Sequence, residues 1–367
     1  MRRSWRLPLL AACAWAAALS AGEIPGWQIG PFRRPIEQPV IAPNRDSRFR
    51  DPVSGNEVRW EALHTFNPAA IVRHGRIYVL YRAEDDTGEM RIGLHTSRIG
   101  LAESEDGIHF RRRPQPVLFP AHDSQKEREW PGGCEDPRIV EGEDGTYVLT
   151  YTQWNRRKTD AAIATSKDLV HWTKHGPALG TEGKYGALSY KSAGIVTRVA
   201  GGRTIAARIR GKYWMYWGEG TVRLAASTDL IHWTPVEDER GEPVAVLAKR
   251  AGRFDSSFPE TGPPPLLTSK GILVLYNGKN APDGGDPSIG ANAYAVGEAL
   301  FAAEDPAKLL DRTDAPAFQP ELPFEKTGQY AAGTTFGEGL VLFRGQWFLY
   351  YGCADSMVGV AVARRLR

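Results

Sequence analysis

The chain has 367 residues, enough for one large domain or two of moderate size. With 42% hydrophobic and 24% charged residues it is globular and not disordered. The formal net charge of +3 comes from Arg2, Arg3 and Arg6; without them the basic residues equal the 43 acidic ones, and no basic segment interleaved with aromatics suggests a nucleic-acid partner.

Residues 1–21 begin with those three arginines, continue through an apolar run from Leu7 to Leu19, and end on Ala18-Leu19-Ser20-Ala21. This pattern predicts a secretory signal peptide cleaved after Ser20 or Ala21, and hence a periplasmic or extracellular protein. Leu10-Ala11-Ala12-Cys13 is similar to a bacterial lipobox, so a lipid anchor at Cys13 is the alternative, and a buried N-terminal helix is a third. No later apolar run is long enough for a membrane span. Residues 22–60 carry no repeat and are expected to wrap the following domain as an N-terminal extension. Cys134 and Cys353 remain in the mature chain, too few for a disulfide framework.

From residue 61 to 367 the chain is periodic. A turn glycine followed by an apolar, aromatic-rich strand recurs five times: after Gly75 (RIYVLYRAE), Gly145 (TYVLTYTQW), Gly211 (KYWMYWGE), Gly271 (ILVLYNGK) and Gly345 (QWFLYYGC). A second strand follows, with a polar turn and an aromatic. LAESEDGIHF (101–110), IATSKDLVHW (163–172) and LAASTDLIHW (224–233) are near copies, and residues 299–310 are a divergent fourth. One such unit cannot bury its own apolar face, whereas units stacked radially can. The expected fold is therefore all-β, a five-bladed β-propeller, with a β-sandwich as the alternative. Asp106, Asp168 and Asp229 are expected to bind local backbone in their turns.

In a propeller the inner strands converge on a central funnel. The residues next to them are acid-rich: Arg82 to Asp86, Cys134-Glu135-Asp136-Pro137-Arg138, Trp217-Gly-Glu219, Pro259-Glu260, and Ala354-Asp355-Ser356. Several carboxylates with arginines and aromatics suit a sugar: rings stack on pyranose faces and charged groups grip hydroxyls. Paired carboxyls acting as acid and base are the usual equipment for glycosidic cleavage.

FNPAAIVRHGRIYVLYRAED (66–85), RIGLAESEDGIHF (98–110), GGCEDPRI (132–139), ETGPPPLLTSKGILVLYNG (260–278), FEKTGQYAAGTTFGEGLV (324–341) and YYGCADS (350–356) resemble glycoside hydrolase family 130, the β-mannoside phosphorylases and hydrolases on five-bladed propellers. The wording is most similar to the family's β-1,2-mannosidase branch. The resemblance implies that Asp136 is the general acid, protonating a mannose hydroxyl that passes its own proton to the leaving oxygen. It implies that Asn67, Arg82, Glu135, Arg138 and Asp355 hold the mannose, and that Lys191 lines the site. Tyr276 and Asn277, which follow the fourth inner strand, are expected to line the funnel.

A phosphorylase must bind a doubly charged anion with clustered cations, whereas a hydrolase must activate water with a carboxylate. Glu219 and Glu260 stand where a phosphorylase would want basic groups, and either is a candidate base. The expected activity is inverting release of mannose from β-1,2-mannosides, with no metal or organic cofactor. A β-mannoside phosphorylase is the first alternative, with Arg156, Arg157, Arg208 and Arg210 as possible phosphate ligands. A non-catalytic glycan-binding propeller is the second.

Overall fold

The computed structural model describes residues 25–364; the expected signal peptide, with Cys13, lies outside them. Among the described residues no helix is long and apolar enough to cross a membrane.

The fold is all-β and propeller-like. The same antiparallel meander of three strands is repeated along the chain. It first joins β1 (His64–Arg73), β2 (Arg76–Glu84) and β3 (Ser97–Ser104). It recurs as β4 (Gly133–Glu141), β5 (Tyr147–Trp154) and β6 (Thr159–Ser166). The third copy is β7 (Ala193–Ile195), β8 (Lys212–Trp217) and β9 (Val222–Ser227). The fourth is β10 (Phe258–Thr261), β11 (Gly271–Lys279) and β12 (Tyr294–Ala302). The last is β13 (Thr335–Phe343), β14 (Gln346–Cys353) and β15 (Met357–Arg364).

The turn glycines have a geometric reason. His74-Gly75 (φ 47° and 72°) and Arg344-Gly345 (φ 48° and 79°) each place two successive residues in the left-handed region, as a two-residue hairpin turn between twisted strands requires. The outer turns also behave as their composition predicts. Asp106 Oδ1 accepts from the backbone N–H of Ile108 and His109, and Asp168 and Asp229 repeat the pattern with Val170, His171, Ile231 and His232.

The second strand of every copy carries a buried tyrosine at one repeat position: Tyr81, Tyr151, Tyr216, Tyr276 and Tyr351. Four of the hydroxyls donate to buried carboxylates, to Glu61 (2.6 Å), Glu129 (2.8 Å), Asp255 (2.8 Å) and Glu325 (2.7 Å). Tyr216 donates to the Pro306 carbonyl at 2.8 Å. Three of the rings need a glycine opposite: a β-carbon at Gly100, Gly297 or Gly359 would collide with Tyr81, Tyr276 or Tyr351. Cys134 and Cys353 are both buried and free.

The N-terminal segment joins this architecture. Arg33 bridges to Val362 and Ile41 to Val358, both antiparallel, so the segment pairs with the edge of β15. Asp51 reaches inward to Arg98 at 2.6 Å, with both side chains buried. The Ile29 N–H donates to Glu298 Oε1 on β12 at 3.0 Å.

Glu298 is buried, and burial pushes its carboxyl up to about 8, with the Ile29 bond pulling the other way. The folded protein therefore holds a proton there that the unfolded chain releases near its ordinary value of 4.5. Stability from this group is full below that value and is lost as pH rises towards about 8. Glu298→Gln should lack this loss, so the difference in melting temperature between wild type and variant should grow with pH between 5 and 8. The expected span is roughly a few kcal/mol. A difference independent of pH would show that Glu298 is ionised in the fold.

Candidate active site

The site is built where the first strands of the copies give up regular pairing. In β1 the register shifts between Phe66 and Pro68, leaving Asn67 unpaired at φ 47°. In β4 it shifts between Glu135 and Arg138, with Asp136 at φ 47° followed by Pro137. In β13 it shifts between Gly337 and Gly339, around Glu338. Asn and Asp tolerate the left-handed region better than other residues with a β-carbon, and a following proline cannot donate to the ladder. The bulges bend each strand and aim one polar side chain inward.

Asn67 and Asp136 meet directly, Asn67 Nδ2 donating to Asp136 Oδ1 at 2.8 Å. Arg82 binds the same oxygen at 3.1 Å, Glu84 at 2.6 Å and Glu135 at 2.9 Å, while its Nε donates to Ser97 Oγ at 3.1 Å. One guanidinium thus serves three carboxyls. Burial pushes Glu135 up to about 7 despite Arg82. Burial acts upward on Asp136 too, but Arg82, Lys191, Asn67 and Arg138 outweigh it and hold Asp136 below the usual range. These adjacent carboxyls titrate together, so near neutral pH one proton belongs to the pair. Asp355, in the left-handed region at φ 50°, has its carboxyl lifted by burial to about 6, against the pull of Arg82.

Lys191 lies 3.4 Å from Glu219 and 3.7 Å from Glu260, and its field also reaches Asp136 and Glu135. Glu219 and Glu260 form a backbone bridge, which fixes the two carboxyls side by side. They differ in access: the Glu219 side chain is 40% exposed and that of Glu260 only 2%. Glu260 accepts a hydrogen bond from Ser192 Oγ. Burial lifts Glu260 to about 7, opposed by Lys191. Beside Lys191 and Glu219 opens a cavity of about 620 Å³ walled by Tyr185, Tyr190, Trp217 and Arg223.

Three sequence-based expectations need correction. Arg138 cannot grip a sugar. It is buried, with Nε on the Gly262 carbonyl (2.7 Å), one terminal nitrogen on the Thr261 carbonyl (2.7 Å) and the other on the Asp136 carbonyl (3.3 Å). It clamps β4 to β10 and so positions Asp136 and Glu260. Asn277 spends both ends of its amide on Gly337, accepting from its N–H at 2.8 Å and donating to its carbonyl at 3.1 Å. Tyr276 is the fourth of the structural tyrosines and points away from Asn277, because neighbouring strand residues face opposite sides. Its hydroxyl belongs to the Asp255, Arg250 and Arg312 network.

Other residues at the site were given no individual role by the sequence reading, although Glu84 lay in its acid-rich stretch from Arg82 to Asp86. Glu84 and Ser97 share Arg82, and Gln329 bridges Glu84 Oε2 (3.2 Å) to the Asp355 carbonyl (2.8 Å). Tyr294 opens β12 with its hydroxyl in the field of Glu260, Glu219 and Asp355. It follows a loop rather than a repeat landmark, so no periodic signal marks it. Arg208 and Arg210 pair with exposed Glu143 and Glu304, and Arg156 donates to the Leu94 carbonyl at 2.6 Å.

A family model described as beta-1,4-mannooligosaccharide phosphorylase matches residues 33–365. The chain belongs to glycoside hydrolase family 130. A 1,2-beta-oligomannan phosphorylase from Thermoanaerobacter sp. (strain X514) is 30% identical over 90% of this chain and 96% of its own length. Among solved structures, a putative glycosidase from Bacteroides thetaiotaomicron VPI-5482 is 51% identical with a TM-score of 0.91, covering 94% of this chain and all of that one. A further structure comes from work on family members described as glycoside hydrolases that target beta-1,2 mannosidic linkages in Candida mannan. It is 49% identical with a TM-score of 0.91, covering 94% of this chain and 98% of that one.

Tyr276→Phe separates packing from site chemistry. Losing the bond to buried Asp255 should cost about 1–3 kcal/mol of stability, seen as a lower melting temperature, with kcat and KM on a β-mannoside unchanged. A large rise in KM would return Tyr276 to the sugar site.

Proposed function

We propose that this protein is an exported, inverting glycoside hydrolase that releases mannose from β-1,2-linked mannosides, with the repeated meanders as five propeller blades around the site. The observation that carries the reading is the placement of Glu219 and Glu260 together beside Lys191, at 3.4 and 3.7 Å. In a phosphorylase that lysine would be free to meet phosphate; here two carboxyls claim it. A further negative charge at about 4 Å from either would cost about 4 kcal/mol per pair of unit charges in a partly solvated pocket. Three of the four arginines that could have supplied phosphate ligands, Arg156, Arg208 and Arg210, are engaged elsewhere. The greater similarity to the structure from work on β-1,2-mannoside hydrolases than to the oligomannan phosphorylase supports the same side.

In this reading the mannose sits over Asn67, Arg82 and Asp355. The Glu135–Asp136 pair supplies the proton: Asp136 passes it to a sugar hydroxyl, which protonates the leaving oxygen. Glu260, with Glu219, takes a proton from the attacking water on the opposite side. The rest of the glycan leaves through the cavity lined by Tyr185 and Trp217. The base must be ionised and the acid pair must hold its proton, and Glu260 and Glu135 both stand at about 7. The rate should therefore rise with pH through Glu260 and fall through the pair, a narrow bell near neutrality.

The test is β-1,2-mannobiose with and without inorganic phosphate, with products separated by chromatography. Mannose alone, at one rate in both, is expected; mannose 1-phosphate formed only with phosphate would make the protein a phosphorylase. Asp136→Asn, Glu219→Gln and Glu260→Gln should each lower kcat by about a hundredfold or more. Azide rescue of one glutamate variant would mark the base.

A further inference from the structure

Glu338 lies on β13 at its bulge, completely buried, on the floor of the site. Neither carboxyl oxygen receives a hydrogen bond from a protein donor. The nearest cation is Arg138, whose terminal nitrogen is 2.8 Å from Oε1 but is aimed at the Thr261 carbonyl. A buried carboxylate normally needs two or three donors, and this one has a proximal charge without an aligned bond. The groups facing it from the surrounding strands are Arg138 and Asp136 on β4, Glu260 on β10 and Lys191 just before β7. Thr261 Oγ1, beside Glu260, is likewise buried without a partner. The floor is thus polar, enclosed and short of donors.

We propose that Glu338 is a positioning residue that stays uncharged beneath the site, so that the positive charge of Arg138 acts on Asp136 and Glu260. An ionised Glu338 would neutralise Arg138 and add a negative charge beside Asp136 and beside Glu260, which must ionise to act as the base. Uncharged, it fills the space, accepts the guanidinium contact and contributes no repulsion. Burial acts in the same direction, lifting its carboxyl well above the usual range against the pull of Arg138. The roles of Asp136 and Glu260 come from the reading above; the charge state of Glu338 does not depend on it.

Infrared difference spectroscopy of wild type against Glu338→Gln tests the charge state without turnover. A protonated-carboxyl stretch at pH 7 that disappears in the variant is expected; a carboxylate band in its place would overturn the proposal. Kinetics test the positioning role. Glu338→Gln, which copies the uncharged form, should keep kcat/KM within about threefold of wild type, with both limbs of the pH profile in place. Glu338→Leu, which keeps the bulk but loses the contact with Arg138, should lower kcat at least about tenfold with little change in KM. A displaced pH profile in the glutamine variant would mean that a charge had been removed. Full activity in a folded leucine variant would mean that Glu338 only fills space.

Discussion

The buried guanidinium of Arg138 is the interaction on which the rest of the site depends. It spans two strands that are far apart in sequence, binding the carbonyl of Asp136 on one side and those of Thr261 and Gly262 on the other. Asp136 is itself one anchor and Glu260 is next in the chain to another, so their separation is set by a rigid planar fork and not by loops. Planarity matters here. A lysine could carry the charge, but it could not hold three carbonyls in fixed directions. Gly262 answers to a separate close approach, since a β-carbon there would strike the Leu275 carbonyl.

Charge balance is the second constraint, and it follows from the first. Arg138 is surrounded by carbonyls and carries its full charge into the centre. With Arg82 and Lys191 it faces Glu84, Glu135, Asp136, Asp355, Glu219, Glu260 and Glu338. Three cations cannot compensate seven ionised carboxyls in an enclosed space, so several must hold protons. The supply of donors decides which. Glu338 has no donor, Glu260 has Ser192 and Lys191, and Asp136 has Asn67 and Arg82. The gradient from donor-poor to donor-rich carboxyls arranges groups that hold protons and groups that release them within one pocket, which is what acid–base work requires.

Much of this was legible in the sequence because propeller-like folds repeat their constraints. The turn glycines, the three Ser-x-Asp turns and the order of strands follow directly from local chemistry. Asn67-Pro68 and Asp136-Pro137 are also local signals, since each marks a strand that breaks pairing on purpose. Tyr276 shows where that reading went astray. Its place after the fourth inner strand suggested a site residue; its equivalence to Tyr81, Tyr151, Tyr216 and Tyr351 shows only in the structure, because Tyr216 and Tyr276 follow their turn glycines by five residues and the other three by six. A residue found in every copy serves the copy; a residue peculiar to one copy serves the site. Arg82 and Thr152 follow equivalent tyrosines, and only the first is a cation. Glu338 and Tyr294 were hidden for a different reason: their significance lies in which distant groups surround them, and strand periodicity carries no such information.

The same balance bears on the nucleophile. A site already short of positive charge receives a neutral sugar and a neutral water at no electrostatic cost, because neither adds to the carboxylate excess. A phosphate dianion would require the cavity beside Lys191 to supply new donors, yet Glu219 and Glu260 occupy that position and hold each other in place through a backbone bridge. Rotating one glutamate away would not free the lysine, since the other remains within 3.7 Å. On the proposed reading, converting such a site to phosphorolysis would therefore take replacement of both glutamates together, whereas loss of either one would remove a base without creating an anion site.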